Sequence, residues 1–432
     1  MTKKEILKEI IRDFHKGELP ETRRRDITIP VNSGKIVTLC GVRRSGKTFM
    51  LYETIKKLYL ERIPKERILY INFEDERLEL KSDELDLILQ AYRELYPDFN
   101  LIECYFFFDE VQNIQNWERF IRRIYDTVTR NIFITGSNSR LLSKEIATQL
   151  RGRTVTIEIF PLSFREYLRF HNMEIDLYHS KSRAKIVSLF EGFLFEGGFP
   201  EIAAIKDAFV RSKVLQGYFD VMLYRDLIER FNITNIPGLK YFIKRIFENI
   251  TSPVSVNRLY NELKSQGYRI GKNYLYEFLE SAEAVYLFLT VKKCSESVLK
   301  QELGEKKVYV IDNGLLNSVT FKFSKDYGKL LENLVFLEFI KRGENLCFYK
   351  NKKECDFVTF EGSSIKEIIQ VSYSLSDLTT RTREIEGLIS AFERFGIKEG
   401  RIVTFSEEED IKLKGIWIKI VPAFKFFLGD VS

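Results

Sequence analysis

The apolar run Ile36-Val37-Thr38-Leu39-Cys40 breaks into Gly41-Val42-Arg43-Arg44-Ser45-Gly46-Lys47-Thr48, and a helix-like stretch from Thr48 to Leu60 follows. The octet fits G-x-x-x-x-G-K-[ST]. Strand, glycine loop and helix in that order open an α/β unit and make a cradle for phosphate. Backbone N–H groups converge on the oxygens at a helix N-terminus, where the helix dipole also favours an anion. Gly41 and Gly46 permit an approach that a Cβ would block. The whole octet is read as the nucleotide loop, with Lys47 reaching the β/γ-phosphates and Thr48 ligating Mg²⁺. Arg43 and Arg44 lie inside it, with phosphate or a partner subunit as alternative contacts.

The chain has 432 residues, enough for about three domains of ordinary size. Lys and Arg outnumber Asp and Glu by 68 to 62, a mild basic excess that does not by itself indicate a nucleic-acid partner. The N-terminus, Met1-Thr2-Lys3-Lys4-Glu5-Ile6, lacks the apolar core of a signal peptide. No apolar run approaches the ~18 residues of a spanning helix, so no membrane partner is expected. The 5 cysteines are dispersed without C-x-x-C and only 3 histidines occur, which argues against zinc and for a reducing cytoplasm.

Residues 3–16 read as an amphipathic helix with Ile6, Leu7, Ile10, Ile11 and Phe14 on one face. Strands are expected at 35–40, 68–73, 104–108, 131–135 and 154–159, separated by helices. The first four are short and apolar, the signature of a parallel sheet buried on both faces. From about 161 to 250 the periodicity is helical. Residues 238–300 suggest three helices and a hairpin, and beyond about 305 the pattern is mixed α/β.

Tyr105-Phe106-Phe107-Phe108-Asp109-Glu110 is an apolar strand ending in two acids. At the carboxyl end of a buried strand they emerge beside the nucleotide loop. Asp109 is placed to hold Mg²⁺, and Glu110 to orient and deprotonate the attacking water. The strand 131–135 runs into Gly136-Ser137-Asn138-Ser139. There Asn138, or Ser137, is a candidate sensor of the γ-phosphate, with a plain turn as the competing reading. Arg151 and Arg153, in Arg151-Gly152-Arg153, are candidates for an arginine that stabilises transferring phosphate, in cis or in trans.

With these segments in view, the chain resembles the archaeal AAA-type ATPase family whose members carry an ATPase module and a C-terminal DUF4143-like domain. The resemblance also rests on Ile71-Asn72-Phe73-Glu74-Asp75, Leu150-Arg151-Gly152-Arg153, Pro161-Leu162-Ser163-Phe164-Arg165-Glu166-Tyr167, Gly197-Gly198-Phe199-Pro200-Glu201 and Tyr224-Arg225-Asp226. It spans essentially the whole chain. It implies a P-loop ATPase with ATP and Mg²⁺ as cofactors, and with Lys47, Thr48, Asp109 and Glu110 in the roles above. The implied α/β architecture has a central parallel sheet in an AAA core (1–165), a helical lid (166–237), a winged-helix segment (238–304) and a C-terminal restriction-endonuclease-like domain (305–432). A homo-oligomer is left open.

In the winged-helix segment, helices at 238–250, 255–265 and 271–283 would precede strands at 285–290 and 307–311. Arg269, Lys272 and Asn273 would offer phosphate and base contacts to double-stranded DNA. Glu277, Glu280 and Glu283 on the same helix oppose that reading. In the last domain, Glu332, Asp356 and Gln370 occupy the places of a nuclease site that needs two carboxylates, then acid-x-lysine. The third place reads Gln370-Val371-Ser372 and supplies neither acid nor lysine, and Lys366 lies too far along the strand. The site is therefore expected to be degenerate.

Three functions follow. The first is Mg²⁺-dependent ATP hydrolysis coupled to conformational change, with DNA as a candidate partner. The second is a nucleotide-gated switch with slow turnover and a protein partner. The third, disfavoured by Gln370, is an ATP-controlled nuclease.

Overall fold

The structure is a computed structural model that describes residues 1–136, 148, 150–268, 270–297, 299, 301, 304–320, 326–413 and 415–429. Its contacts group into two compact units, Met1–Phe160 and Pro161–Ser432. The segments expected at 166–237, 238–304 and 305–432 thus pack together within the second unit.

The first unit is built on a five-stranded sheet of β1 (Ile36–Cys40), β2 (Ile68–Asn72), β3 (Tyr105–Asp109), β4 (Ile132–Gly136) and β5 (Thr154–Glu158). The order is β2-β3-β4-β1-β5 and every pairing is parallel. The consecutive phenylalanines of β3 divide between its two faces, as a period of two requires. Phe106 and Phe108 join Leu7, Ile10 and Ile11 of α1 (Lys3–Lys16), together with Ile88 and Leu89 of α3 (Asp86–Leu95) and Phe120 and Ile121 of α4 (Trp117–Thr127). Phe107 turns the other way and stacks on Phe133 at 4.6 Å, beside Met50, Leu51, Ile55 and Leu58 of α2 (Lys47–Leu60). Each such fully buried side chain contributes about 1.5–3 kcal/mol. The N-terminal helix forms as its periodicity indicates, and Thr2 and Glu5 close a capping box on it.

The second unit opens with helices Phe164–Phe170, Ser180–Glu196, Pro200–Ala204 and Ala208–Val221, the last running into a π-helical stretch, Met222–Glu229. Helices Ile236–Glu248, Val256–Ser265 and Lys272–Ala284 follow. A small antiparallel sheet joins β6 (Pro253–Val254), β7 (Phe288–Lys292) and β8 (Lys306–Val310) in the order β6-β8-β7. Beyond helices Asn313–Val319 and Tyr327–Lys341 lies a six-stranded mixed sheet. Its strands are β9 (Asn345–Lys350), β10 (Glu354–Glu361), β11 (Ser364–Val371), β12 (Glu399–Thr404), β13 (Glu409–Leu413) and β14 (Ile416–Pro422), in the order β13-β14-β12-β11-β10-β9.

The dispersed cysteines include one pair that their spacing did not indicate: Cys294 and Cys347 form a disulfide. The chain beyond β7 continues alongside β9, with Lys293 bridging Phe348 and the Cys294 N–H donating to the Phe348 carbonyl at 2.8 Å. That pairing sets the two Cα atoms 5.2 Å apart, although 53 residues separate them in sequence. Among the described residues no helix is long and apolar enough to cross a membrane.

Candidate nucleotide site

The loop after β1 is shaped by two glycines. Gly41 has φ +144, and a Cβ there would lie 2.1 Å from the Ile159 carbonyl oxygen. Gly46, at φ 98, caps the start of α2. Arg44 between them also takes a left-handed conformation, φ 64. Such backbone costs of order 1–3 kcal/mol per non-glycine residue and gathers at functional sites. Lys47 is the first residue of α2 and is buried. Its ammonium donates to the carbonyls of Gly41 at 3.1 Å and Val42 at 3.2 Å. Burial lowers its pKa, while the charges of Glu110 and Asp109 act to raise it. The Ser45 hydroxyl is buried with no hydrogen-bond partner among the described residues. Arg43 pairs with Glu74, just beyond β2, at 3.4 Å.

Asp109 ends β3 and is buried. Its Oδ1 accepts from the Thr135 hydroxyl, and its Oδ2 accepts from the Tyr70 hydroxyl at 2.9 Å. The Thr48 side chain also hydrogen-bonds it. Burial raises the Asp109 pKa and the Glu110 charge adds to the rise, while these hydroxyl donors act against it. Glu110 follows with φ 54 and ψ 47, a left-handed conformation in a non-glycine residue. Its N–H donates to Thr135 Oγ1 at 2.9 Å, and its carboxylate accepts from the Gln112 side-chain amide. A single threonine at the tip of β4 therefore holds both acids.

Lys47, Thr48, Asp109 and Glu110 are brought together as the sequence indicates. Arg151 and Arg153 are not. Arg153 precedes β5, whose Thr154 is level with Ile36 at the start of β1. The Arg153 carbonyl accepts from the Ile36 N–H at 2.9 Å, and its guanidinium pairs with Asp126 of α4 at 3.0 Å. The nucleotide loop leaves the opposite end of β1, about 16 Å away at the rise of a strand. Both arginines thus precede β5 at the end of β1 opposite the loop. Ser137, Asn138 and Arg269 lie outside the described residues.

Tyr70, Thr135 and Arg25 were not legible as site residues. Tyr70 and Thr135 read as ordinary strand residues, although a hydroxyl at an apolar strand tip was a weak signal for Thr135. Buried Arg25 donates to the Ser45 carbonyl at 2.9 Å and to the Phe160 carbonyl at 2.8 Å.

In the second unit Glu332, Asp356 and Gln370 do meet, and all three are buried. The Gln370 side-chain carbonyl accepts from the Asp356 N–H at 3.1 Å, and Asp356 Oδ2 accepts from the Val371 N–H at 3.0 Å. The expected lack of a lysine is corrected. Lys307 of β8 donates to Glu332 at 3.0 Å and to Asp356 at 2.8 Å. Lys366 pairs instead with Glu344 at 2.8 Å. Lys272 and Asn273 are exposed at the start of helix Lys272–Ala284, whose outer face also carries exposed Glu277 and Glu280.

Residues 33–168 match the family model of an AAA domain. Residues 187–326 match a domain of unknown function, DUF8612, which stands in place of the DUF4143-like domain expected. An uncharacterized protein of Methanocaldococcus jannaschii, MJ1544, is 37% identical over 440 residues, covering 99% of this chain and 96% of its own. An uncharacterized protein of Haemophilus influenzae is 31% identical over 350 residues, covering 80% of this chain and 84% of its own. Among solved structures, the Walker-type ATPase PABY2304 of Pyrococcus abyssi is similar at 16% identity with a TM-score of 0.40, over 70% of this chain and 98% of that one.

Proposed function

This chain belongs to the family of MJ1544, with an AAA domain at residues 33–168, and on that premise we propose that it is a Mg²⁺-dependent ATPase. The observation that carries the reading is the convergence of Lys47, Thr48, Asp109 and Glu110 at the carboxyl ends of β1 and β3. The residues present fit a nucleotide phosphate: a buried hydroxyl on Ser45 has no hydrogen-bond partner among the described residues, and the approach at Gly41 admits no side chain. Loop N–H groups and the Lys47 ammonium hold the β/γ-phosphates. Thr48 and Asp109 would hold Mg²⁺, which when bound would supply charge neutralisation for the phosphate. Glu110, oriented from behind by Thr135 and beside by Gln112, aligns a water and takes its proton.

Three helices and the small sheet β6-β8-β7 support reading residues 236–310 as a winged helix. Lys272 and Asn273 are its outward groups for DNA, opposed by Glu277 and Glu280 on the same helix. On this reading nucleotide turnover repositions the second unit on a partner, with DNA the one its helix would contact.

The test is Glu110→Gln. Turnover of ATP is expected to fall by about 10²-fold or more while ATP binding stays within a few-fold of wild type. Unchanged turnover would remove Glu110 as the base and favour a slow nucleotide-gated switch. Hydrolysis measured with and without double-stranded DNA tests the partner: no stimulation, and no salt-dependent binding, ends the DNA-coupled reading.

A further inference from the structure

The acidic cluster of the second unit is assembled from elements far apart in sequence. Glu332 comes from helix Tyr327–Lys341, and Glu354 and Asp356 come from β10. The Lys307 ammonium, its side chain 1% exposed, sits among them at 3.0 Å from Glu332, 2.9 Å from Glu354 and 2.8 Å from Asp356. The neighbouring Tyr309 hydroxyl donates to the same Glu332 oxygen at 2.9 Å.

We propose that Lys307 is a built-in cation, filling the position that a divalent ion would take between Glu332, Glu354 and Asp356, so that this cluster docks β8 onto β10 and holds no metal.

Three observations carry the assignment. First, each carboxylate already touches a positive charge at hydrogen-bond distance, so an incoming ion would have to displace a covalently tethered one. Buried charges persist only when paired in this way. Second, the remaining capacity of Asp356 is used by the protein: its Oδ2 accepts from the Val371 N–H. Gln370, which stands where a metal-binding acid is expected, accepts from the Asp356 N–H and donates to Glu384. A neutral amide can do both, and a carboxylate cannot. Among the described residues no group of three or more His, Cys, Asp or Glu side chains is arranged to hold a metal. Third, the same two sheets are fastened at a second point by the Cys294–Cys347 disulfide and the Lys293–Phe348 bridge. The lysine therefore belongs to a docked seam and not to an open cleft.

The substitution of lysine for metal is geometrically close. Calcium takes carboxylate oxygens at about 2.3–2.6 Å. An ion at the ammonium position would need to draw the three oxygens inward by only a few tenths of an ångström. Removing the ammonium should accordingly expose a latent site.

The experiment measures hydrogen exchange of the full chain in peptides covering β8 and β10, without nucleotide. Lys307→Ala is expected to accelerate exchange there about tenfold or more, because buried carboxylates lose their partner. Millimolar Ca²⁺ should largely restore protection in Lys307→Ala and leave wild type unchanged. A Lys307→Met/Glu332→Gln/Asp356→Asn variant, which removes the ammonium with its two buried carboxylates and leaves half-buried Glu354 to Lys350 at 3.3 Å, should be protected almost as wild type and should not respond to Ca²⁺. The assignment is overturned if Ca²⁺ fails to restore Lys307→Ala, or if the triple variant is as unprotected as the single one. It is equally overturned if wild type gains protection from Ca²⁺, or cleaves DNA with Mn²⁺ in a way that Asp356→Asn abolishes. Should Lys307→Ala not fold without Ca²⁺, its folding on addition of Ca²⁺ is the supporting result and its failure to fold the opposing one.

Discussion

Replacing Tyr70 by Phe removes one oxygen atom and should be felt at Asp109. The Tyr70 ring stacks on Phe14 with centroids 4.8 Å apart, and Phe preserves that contact. What is lost is the hydrogen bond from the hydroxyl to Asp109 Oδ2 at 2.9 Å. Tyr52, 3.2 Å from the same hydroxyl, is partly exposed and can turn to water. A hydrogen bond to a charged group is worth about 1.5–3 kcal/mol, so the expected loss is about 2 kcal/mol near pH 8. The sign with pH follows from linkage. Burial already raises Asp109 above its ordinary 3.8, so folding favours its protonated form. That contribution is fully present below 3.8 and is lost as pH rises through the folded value. Removing a donor to the carboxylate raises the folded value further, so the deficit of Tyr70→Phe widens as pH rises. Urea unfolding of both proteins at pH 8 and in steps down towards pH 3.8 measures it. A deficit below about 0.5 kcal/mol at pH 8, or one that stays constant over the whole range, refutes the reasoning. If the chain hydrolyses ATP, the acid limb of its rate should also move to higher pH in the variant.

Gly41→Ala places a Cβ 2.1 Å from the Ile159 carbonyl oxygen and should cost about 2–4 kcal/mol in urea unfolding. Gly34→Ala, at φ +63 with nothing within 4 Å, should cost only about 1–2 kcal/mol. Alkylation of the unfolded, unreduced chain should label Cys40, Cys104 and Cys355 alone, and all 5 cysteines after reduction. Opening the 53-residue loop should cost about 4 kcal/mol by loop-closure entropy, read from the denaturation midpoint of Cys294→Ser/Cys347→Ser.

Most of the first unit was legible because its information is local. Four apolar runs bounded by polar sequence, and a fifth, less apolar one at 154–159, became β1 to β5 within a residue of the expected ends. The glycine loop and the two acids at the end of β3 carry residue types that few other roles demand. What was not legible depends on side chains meeting across the sheet. Thr135 is one more β-branched strand residue until β4 is set beside β3, where its hydroxyl reaches Asp109 and the Glu110 N–H. Arg151 and Arg153 carried the right charge, but they stand at the wrong end of their strand, which only strand order and direction reveal. Lys307 was counted as a strand residue and nothing more, because its partners lie 25 and 49 residues further along. The Cys294–Cys347 pair was hidden for the same reason.

The sheet order also sets a timetable. β1, which launches the nucleotide loop, is made early but sits between β4 and β5, its neighbours on either side. Those neighbours are synthesised roughly 100 residues later, so contacts this distant must pay loop-closure entropy before they return any stability. Ile159, whose carbonyl packs against Gly41, arrives later still. As the chain leaves the ribosome, the glycine loop lacks both strand neighbours of β1 and the Ile159 backbone until residue 160 has emerged. An N-terminal fragment ending after β3 would contain every residue of the octet and both acids, yet no neighbour for β1 and no organised cradle.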